Sequence, residues 1–79
     1  MDFKKATDEL FQGVNQSALA ESLGVSLPAI RQARLSDEAK AHRSPPKDWR
    51  RAVIRLAEER VWHYRRLVEL LRTDEAIQE

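Results

Sequence analysis

Apolar residues recur every three or four positions along most of the chain, the spacing that places them on one face of an α-helix. No window alternates apolar with polar residues, so the pattern predicts no β-strand. The chain is therefore expected to be all-α. The predicted helices cover about residues 2–12, 16–23, 27–34 and 46–73.

Residue types that begin and end helices agree with these limits. Asp2, Asn15 and Ser26 stand before the first three helices, where their side chains can accept a hydrogen bond from a free backbone N–H. Gly13 and Gly24 follow the first two helices, and glycine is common just past a helix C-terminus. The three short helices are therefore separate elements joined by short turns.

The inward faces of the helices predict the core. The short helices contribute Phe3, Ala6, Thr7, Leu10, Phe11, Leu19, Ala20, Leu23, Ile30 and Ala33. The fourth helix carries two apolar tracks. The longer track contains Trp49, Ala52, Val53, Leu56, Tyr64, Leu67, Leu70 and Leu71; the shorter contains Ile54, Ala57, Val61 and Val68. The first half of the longer track is expected to close the core.

This pattern divides the chain into four parts. They are a unit of three short helices (residues 1–35), a basic connection (36–45), a long helix (46–73) and a frayed tail (74–79). The Pro45-Pro46 pair separates the connection from the long helix. At 1.5 Å per residue the long helix extends roughly 40 Å, farther than so small a domain can cover.

Composition limits the kind of protein. Seventy-nine residues without cysteine allow one small domain with a thin core and no disulfide. The two histidines are isolated, the adjacent Glu58 and Glu59 splay apart on a helix, and two glycines cannot build a phosphate-binding loop. We expect no enzyme activity, metal, cofactor or small-molecule ligand. No stretch approaches the ~20 apolar residues of a membrane span, so we expect a cytoplasmic protein.

The net charge of +1 hides an uneven distribution. Residues 1–25 have a net charge of −2, residues 26–51 of +4 and residues 52–79 of −1. A basic segment at the centre of the chain suits a phosphate-facing surface, and it is equally typical of an ordinary solvated face.

The segment from Gln16 to Leu35 has the pattern of a helix–turn–helix, with a small residue at Ala20 and a glycine in the turn at Gly24. The crease between the helices would hold Leu19, Leu23, Val25, Ile30 and Ala33. Over about 20 to 25 residues, the segment resembles the DNA-binding core of the λ-repressor/Cro class of phage and bacterial regulators. The run Leu23-Gly-Val-x-x-x-Ala-Ile-x-x-Ala33 is particularly similar to the Cro type. The other interpretation is an αα-hairpin that only packs.

The resemblance implies that the third helix enters the major groove of double-stranded DNA. The implied base-reading residues are Ser26, Leu27, Pro28, Arg31 and Gln32. An arginine there can fork onto guanine and a glutamine onto adenine, whereas the proline departs from the family, which often has a polar amide nearby. The implied phosphate contacts are Gln16 and Ser17, and further candidates are Arg34, Lys40, Arg43 and Lys47. Solubility is the other explanation for Lys40 and Lys47.

The uncovered part of the long helix predicts a partner. Ile54, Val61 and Val68 recur every seven residues, as on a contact between two helices. A two-fold dimer would place two recognition helices about 34 Å apart on a palindromic operator. The expected interface residues are Ile54, Ala57, Val61, Tyr64, Leu67, Val68 and Leu71. The other interpretation is a helix that folds back on its own domain.

Together these features predict a small transcriptional regulator of phage or bacterial origin. We expect a dimeric repressor, controlled by autoregulation or by a protein partner, that acts at the nucleoid of a bacterial cell or phage-infected host. The alternative is a protein-interaction adaptor or antitoxin-like module that uses the long helix to bind a different protein.

Overall fold

The computed structural model describes residues 1–78, with side chains through Glu75, and contains four α-helices and no strand in that range. The helices are α1 (Phe3–Leu10), α2 (Gln16–Leu23), α3 (Leu27–Ala33) and α4 (Trp49–Gln78). The all-α class is therefore confirmed, and the short helices lie within two residues of their predicted limits. Among the described residues, no helix is both long and apolar enough to cross a membrane.

Each short helix begins at the capping residue that the sequence predicts. The side-chain oxygen accepts a hydrogen bond from the backbone nitrogen three residues on, at 2.8 Å for Asp2, 2.8 Å for Asn15 and 3.2 Å for Ser26. These bonds satisfy N–H groups that have no partner inside the helix, so local sequence determines where all three helices start.

The two glycines end their helices differently. Gly24 has a φ of 67°, the left-handed conformation that allows α2 to stop and the chain to turn into α3 within three residues. Gly13 does not have a positive φ, and α1 ends at Leu10, two residues before its predicted end. The chain there tightens into i→i+3 bonds, including one of 3.2 Å from the Gly13 nitrogen to the Leu10 oxygen.

Gly24→Ala should destabilise the protein by about 1–2 kcal/mol, because an L side chain disfavours the left-handed conformation. Neither glycine has an atom within 4 Å of an added Cβ, so the cost at Gly24 is conformational and not steric. Gly13→Ala is the matched control and should be neutral or slightly stabilising. Urea unfolding of both variants checks this, and equal losses at the two positions would contradict it.

The core lies where α4 packs across α1 and α2, and α3 packs against α2. Its buried apolar residues are Phe3, Ala6, Leu10, Val14, Leu19, Ala20, Ile30, Ala33 and Ala52. Buried Thr7 donates its hydroxyl hydrogen bond to the Phe3 carbonyl at 2.7 Å, which explains how a polar residue fits there. Val14 is a core residue that the helix pattern misses, because it lies in the turn between α1 and α2.

The first half of the longer apolar track closes the core, as predicted. Ala52 is buried, and Trp49, Val53 and Leu56 are half-buried against the cluster. The Trp49 ring meets the Phe3 ring edge-on, with 5.3 Å between centroids. This contact joins the first residue of α1 to the first residue of α4. Edge-on aromatic pairs stabilise a fold by more than the apolar area that they bury.

The long helix begins later than predicted. Trp49 donates its backbone hydrogen bond to the Pro46 carbonyl at 3.1 Å, which closes a single turn. The first α-helical bond runs from Ala52 to the Asp48 carbonyl, also at 3.1 Å. Asp48 is a residue type favoured just before a helix, so the helix starts after it and not at Pro46.

The helix also ends later than the predicted boundary at Thr73, continuing to Gln78. No glycine or proline follows Thr73, and Glu75 and Ala76 are good helix formers. The predicted frayed tail over 74–79 is therefore helical through Gln78, and Glu79 lies outside the described residues.

The resulting molecule is elongated, with extents of 61 × 20 × 18 Å. Beyond Leu56 the helix leaves the folded body, and every side chain from Ala57 to Glu75 is exposed. We call residues 57–78 the distal half of α4. It does not fold back, so the interpretation of a helix packed on its own domain is wrong for this structure.

Candidate nucleic-acid interface

The outer side of α3 is open to solvent while its inner side is fixed in the core. Ile30 and Ala33 are buried, and Ile30 is fully excluded from solvent. On the outer side Pro28 and Arg31 are exposed, and Gln32 is half-buried. The helix is thus held rigidly by one face and presents the other, the arrangement that a groove-reading helix needs.

The remaining predicted base-reading residues lie at the start of α3. Ser26 is exposed, and its hydroxyl oxygen already accepts the capping hydrogen bond from the Ala29 nitrogen. The hydroxyl hydrogen remains available as a donor. Leu27 is half-buried, so only part of its side chain can reach an apolar group outside the protein. Of the five predicted residues, Pro28, Arg31 and Gln32 therefore lie on the outer side of α3, and Ser26 and Leu27 lie at its start.

The connection between α3 and α4 folds back onto the C-terminal end of α3. The Arg43 backbone nitrogen donates to the Gln32 carbonyl at 3.3 Å. The His42 ring contacts the Leu35 carbonyl through Nδ1 at 2.9 Å and the Asp37 carboxylate through Nε2 at 3.3 Å. Two ring nitrogens thus bind two parts of the connection, a role for His42 that sequence reasoning missed.

This fold-back brings the backbone of a basic residue against the C-terminal end of α3. Arg43 is eleven positions from Gln32 in sequence, yet the two backbones are joined by a hydrogen bond. Arg31, Lys40, Arg43 and Lys47 are all exposed, and none forms an ion pair within the part of the chain that the structure describes. Their positive charge is therefore available to an external anion.

Arg34 has a different role from the phosphate contact predicted for it. Its guanidinium pairs with the Asp8 carboxylate and lies over the Phe11 ring, 5.0 Å from the centroid. The side chain is 21 % exposed, and its Nε is buried without a hydrogen-bond partner. Arg34 therefore ties α3 to α1, and the geometry does not support a phosphate contact.

Asp8 is the shared acceptor of this ion-pair cluster. The hydrogen bond from Lys4 lowers the pKa of the Asp8 carboxyl, and the charges of Lys4 and Arg34 add to the effect. A carboxyl with a lowered pKa stabilises the fold at neutral pH and loses that contribution as the pH falls through its folded-state pKa. The cluster consequently holds Arg34 most firmly at neutral pH.

The two predicted phosphate contacts at the start of α2 differ in exposure. Ser17 is exposed, consistent with a contact to an external group. Gln16 is half-buried, and its amide oxygen is buried without a hydrogen-bond partner. An unpaired buried amide oxygen is costly, so a rotation of the Gln16 side chain outward toward a phosphate would remove an existing penalty.

No family model matches this chain, and neither the characterised proteins nor the solved structures include a match to it. Among the described residues, no group of three or more histidine, cysteine or acidic side chains is placed to hold a metal ion. The candidate interface therefore consists of the anchored α3, the exposed Arg31 and the cations of the connection that form no ion pair with a described residue.

Proposed function

We propose that the protein is a sequence-specific regulator that binds double-stranded DNA through a helix–turn–helix formed by α2, the Gly24 turn and α3. The observation that carries this proposal is the combination at α3. Buried Ile30 anchors the helix, exposed Arg31 faces outward, and Arg43 is held against the same helix with its charge unpaired. The resemblance to the λ-repressor/Cro class supports the same assignment.

In this mechanism, phosphate contacts position the body and α3 reads the bases. Ser17, Lys40, Arg43 and Lys47 contact the DNA backbone, and Gln16 joins them after its side chain turns outward. Arg31 donates two hydrogen bonds to a guanine, and Gln32 contacts an adjacent base with the exposed part of its amide.

The proposed active form is a homodimer that represses transcription by occupying a palindromic operator in the cytoplasm. The exposed apolar residues on the distal half of α4 support it. Val61, Tyr64, Leu67, Val68 and Leu71 are each between 44 % and 54 % exposed. A continuous apolar strip of this kind is typical of an interaction surface. The proposal needs no cofactor and no catalytic residue.

Salt dependence tests DNA binding directly. If Lys40, Arg43 and Lys47 each contact a phosphate, the logarithm of the affinity for random duplex should fall with the logarithm of salt concentration with a slope of about −3 per subunit. Arg43→Ala should reduce that slope by about 1 per subunit and weaken all sequences alike.

Arg55→Ala is the matched control, because Arg55 is also exposed but pairs with Glu59 at 3.9 Å on α4. It should leave the slope unchanged. Binding without salt dependence, or equal effects of the two substitutions, would contradict the proposal. That result would favour the adaptor alternative, in which the distal half of α4 binds a different protein.

A further inference from the structure

The apolar strip on α4 has the spacing of a two-helix contact. Two residue sets alternate at intervals of three and four: Ile54, Val61 and Val68 in one set, and Ala57, Tyr64 and Leu71 in the other. We call these six residues the seam. All six are exposed, and the alternation persists for three heptads.

The seam is independent of the contact between α4 and the body. Projected at 100° per residue, buried Ala52 lies almost directly across the helix from the seam. Half-buried Trp49 and Leu56, which pack against the core, also lie away from it. A partner helix can therefore cover the seam without displacing anything that stabilises the fold.

We propose that a second copy of this chain covers the seam from Val61 to Leu71 in antiparallel orientation, with the two-fold axis level with Arg66. This inference rests on the homodimer of the proposed function, and it does not require that the dimer bind DNA. It specifies the direction of the partner's α4 and the register of the two helices. Another direction or register would bring different residues into contact.

Charge complementarity supports the antiparallel direction. In this register Glu58 faces the partner's Arg72, and Arg60 faces the partner's Asp74, and two-fold symmetry repeats both pairs. None of these four side chains forms an ion pair within the described part of the chain. Four attractive contacts are thus set against one repulsive contact, between Arg65 and its own copy at the axis.

A parallel dimer in register lacks this complementarity. Flanking residues would then pair between successive heptads, so that Arg60 faces the partner's Arg65 twice. The other flanking pairs join Val53 to the partner's Glu58 and Leu67 to the partner's Arg72, and neither pair combines opposite charges. Like charges at such positions select against the arrangement that contains them.

Side-chain size supports the same direction. The antiparallel register places Tyr64 opposite the partner's Val68 and Val61 opposite the partner's Leu71, so each of these layers joins a larger with a smaller residue. Ala57 and Ile54 lie opposite positions 75 and 78 of the partner, outside the apolar layers. The parallel register would stack two tyrosines in one layer and two Ala57 side chains two layers earlier, with the Val61 pair between them. One of these layers would be underfilled and the other overfilled.

The register also brings Leu67 beside its own copy near the axis. Leu67 is 48 % exposed and lies next to the seam, so a dimer that leaves it in water would be incomplete. The segment 49–56, which carries the body, is centred 13 to 14 residues from Arg66. At 1.5 Å per residue the two bodies would lie about 40 Å apart along the paired helices, comparable with the ~34 Å of one DNA turn.

Introduced cysteines test direction and register, because the natural chain has no cysteine. We would prepare Val61→Cys, Leu71→Cys and an equimolar mixture of the two, and oxidise each sample at a concentration where the wild type is dimeric. The mixture should form a disulfide between positions 61 and 71. Each variant alone should form little, because equal positions lie ~15 Å apart along the antiparallel helices, beyond disulfide reach.

Rapid cross-linking of each variant with itself would overturn the proposal in favour of a parallel dimer. Absence of cross-links from all three samples would also overturn it, since the seam would then not be covered by a second copy. Both positions lie outside the folded body, and circular dichroism of the reduced variants verifies that each retains the wild-type helix content.

A charge exchange provides a second measurement. Arg72→Glu should raise the dimer dissociation constant on the order of tenfold in sedimentation equilibrium, because two attractive pairs become repulsive. Adding Glu58→Arg to the same chain should restore most of the affinity. Failure of the double variant to recover would contradict the register.

The antiparallel dimer and the DNA-binding function can be disproved independently of each other. If the mixed cysteines cross-link as expected but the wild type shows no salt-dependent DNA binding, the antiparallel dimer stands and the proposed function falls. If the wild type binds DNA but the mixture does not cross-link, only the dimer proposal falls.

Discussion

Leu19→Ala should destabilise the protein by about 2–5 kcal/mol, among the largest effects expected of a single substitution in the body. Leu19 is fully excluded from solvent and belongs to the same core cluster as Ile30. Truncation removes buried apolar surface and leaves a cavity in a core that is already thin. Domains of this length have a total stability of about 4–12 kcal/mol, so the substitution should remove a large fraction of the free energy of unfolding.

Urea unfolding monitored by circular dichroism measures this loss. Leu35→Ala is the matched control, because the same side chain is 41 % exposed there and lies outside the helices. It should cost less than about 1 kcal/mol. Similar midpoints for the two variants would show that Leu19 does not occupy the packed position between the helices.

Arg31→Ala should weaken binding to the preferred DNA sequence by about 1–3 kcal/mol, or roughly 5- to 150-fold, and flatten the preference among sequences. The exposed guanidinium has no ion-pair partner within the described residues, so its removal leaves the fold unchanged. The measurement is a binding isotherm on the sequence selected from a random pool and on a scrambled duplex.

Arg31→Lys separates base reading from simple charge. Lysine keeps the positive charge but lacks the planar fork that makes two hydrogen bonds to guanine. It should bind the scrambled duplex like the wild type yet lose part of the preference for the selected sequence. If Arg31→Ala weakened both duplexes equally, Arg31 would be a phosphate contact and base reading would have to lie elsewhere on α3.

The short helices could be predicted from the sequence because their determinants are local. Asp2, Asn15 and Ser26 each satisfy an N–H group three residues away, and Gly24 adopts the conformation that its residue type favours. The limits of α4 were less predictable, since prolines and acidic residues near its start offer several places for a helix to begin.

The candidate site was predictable only in part. The exposure of Arg31 follows from helical periodicity, because buried Ile30 and Ala33 determine which side faces out. The role of Arg34 does not follow from it, since an arginine after α3 has the same local pattern whether it meets a phosphate or Asp8. That ion pair spans 26 residues of sequence, which no local rule specifies.

Four features of this protein follow from the order of its residues alone: the helical class, the caps, the core face of each short helix and the apolar spacing on α4. Each depends on residues within a few positions of one another. Three features are visible only in the folded molecule: Arg34 pairs with Asp8, the His42 ring contacts two parts of the connection, and α4 leaves the body after Leu56. These depend on which distant groups meet, and periodicity along one chain cannot specify that.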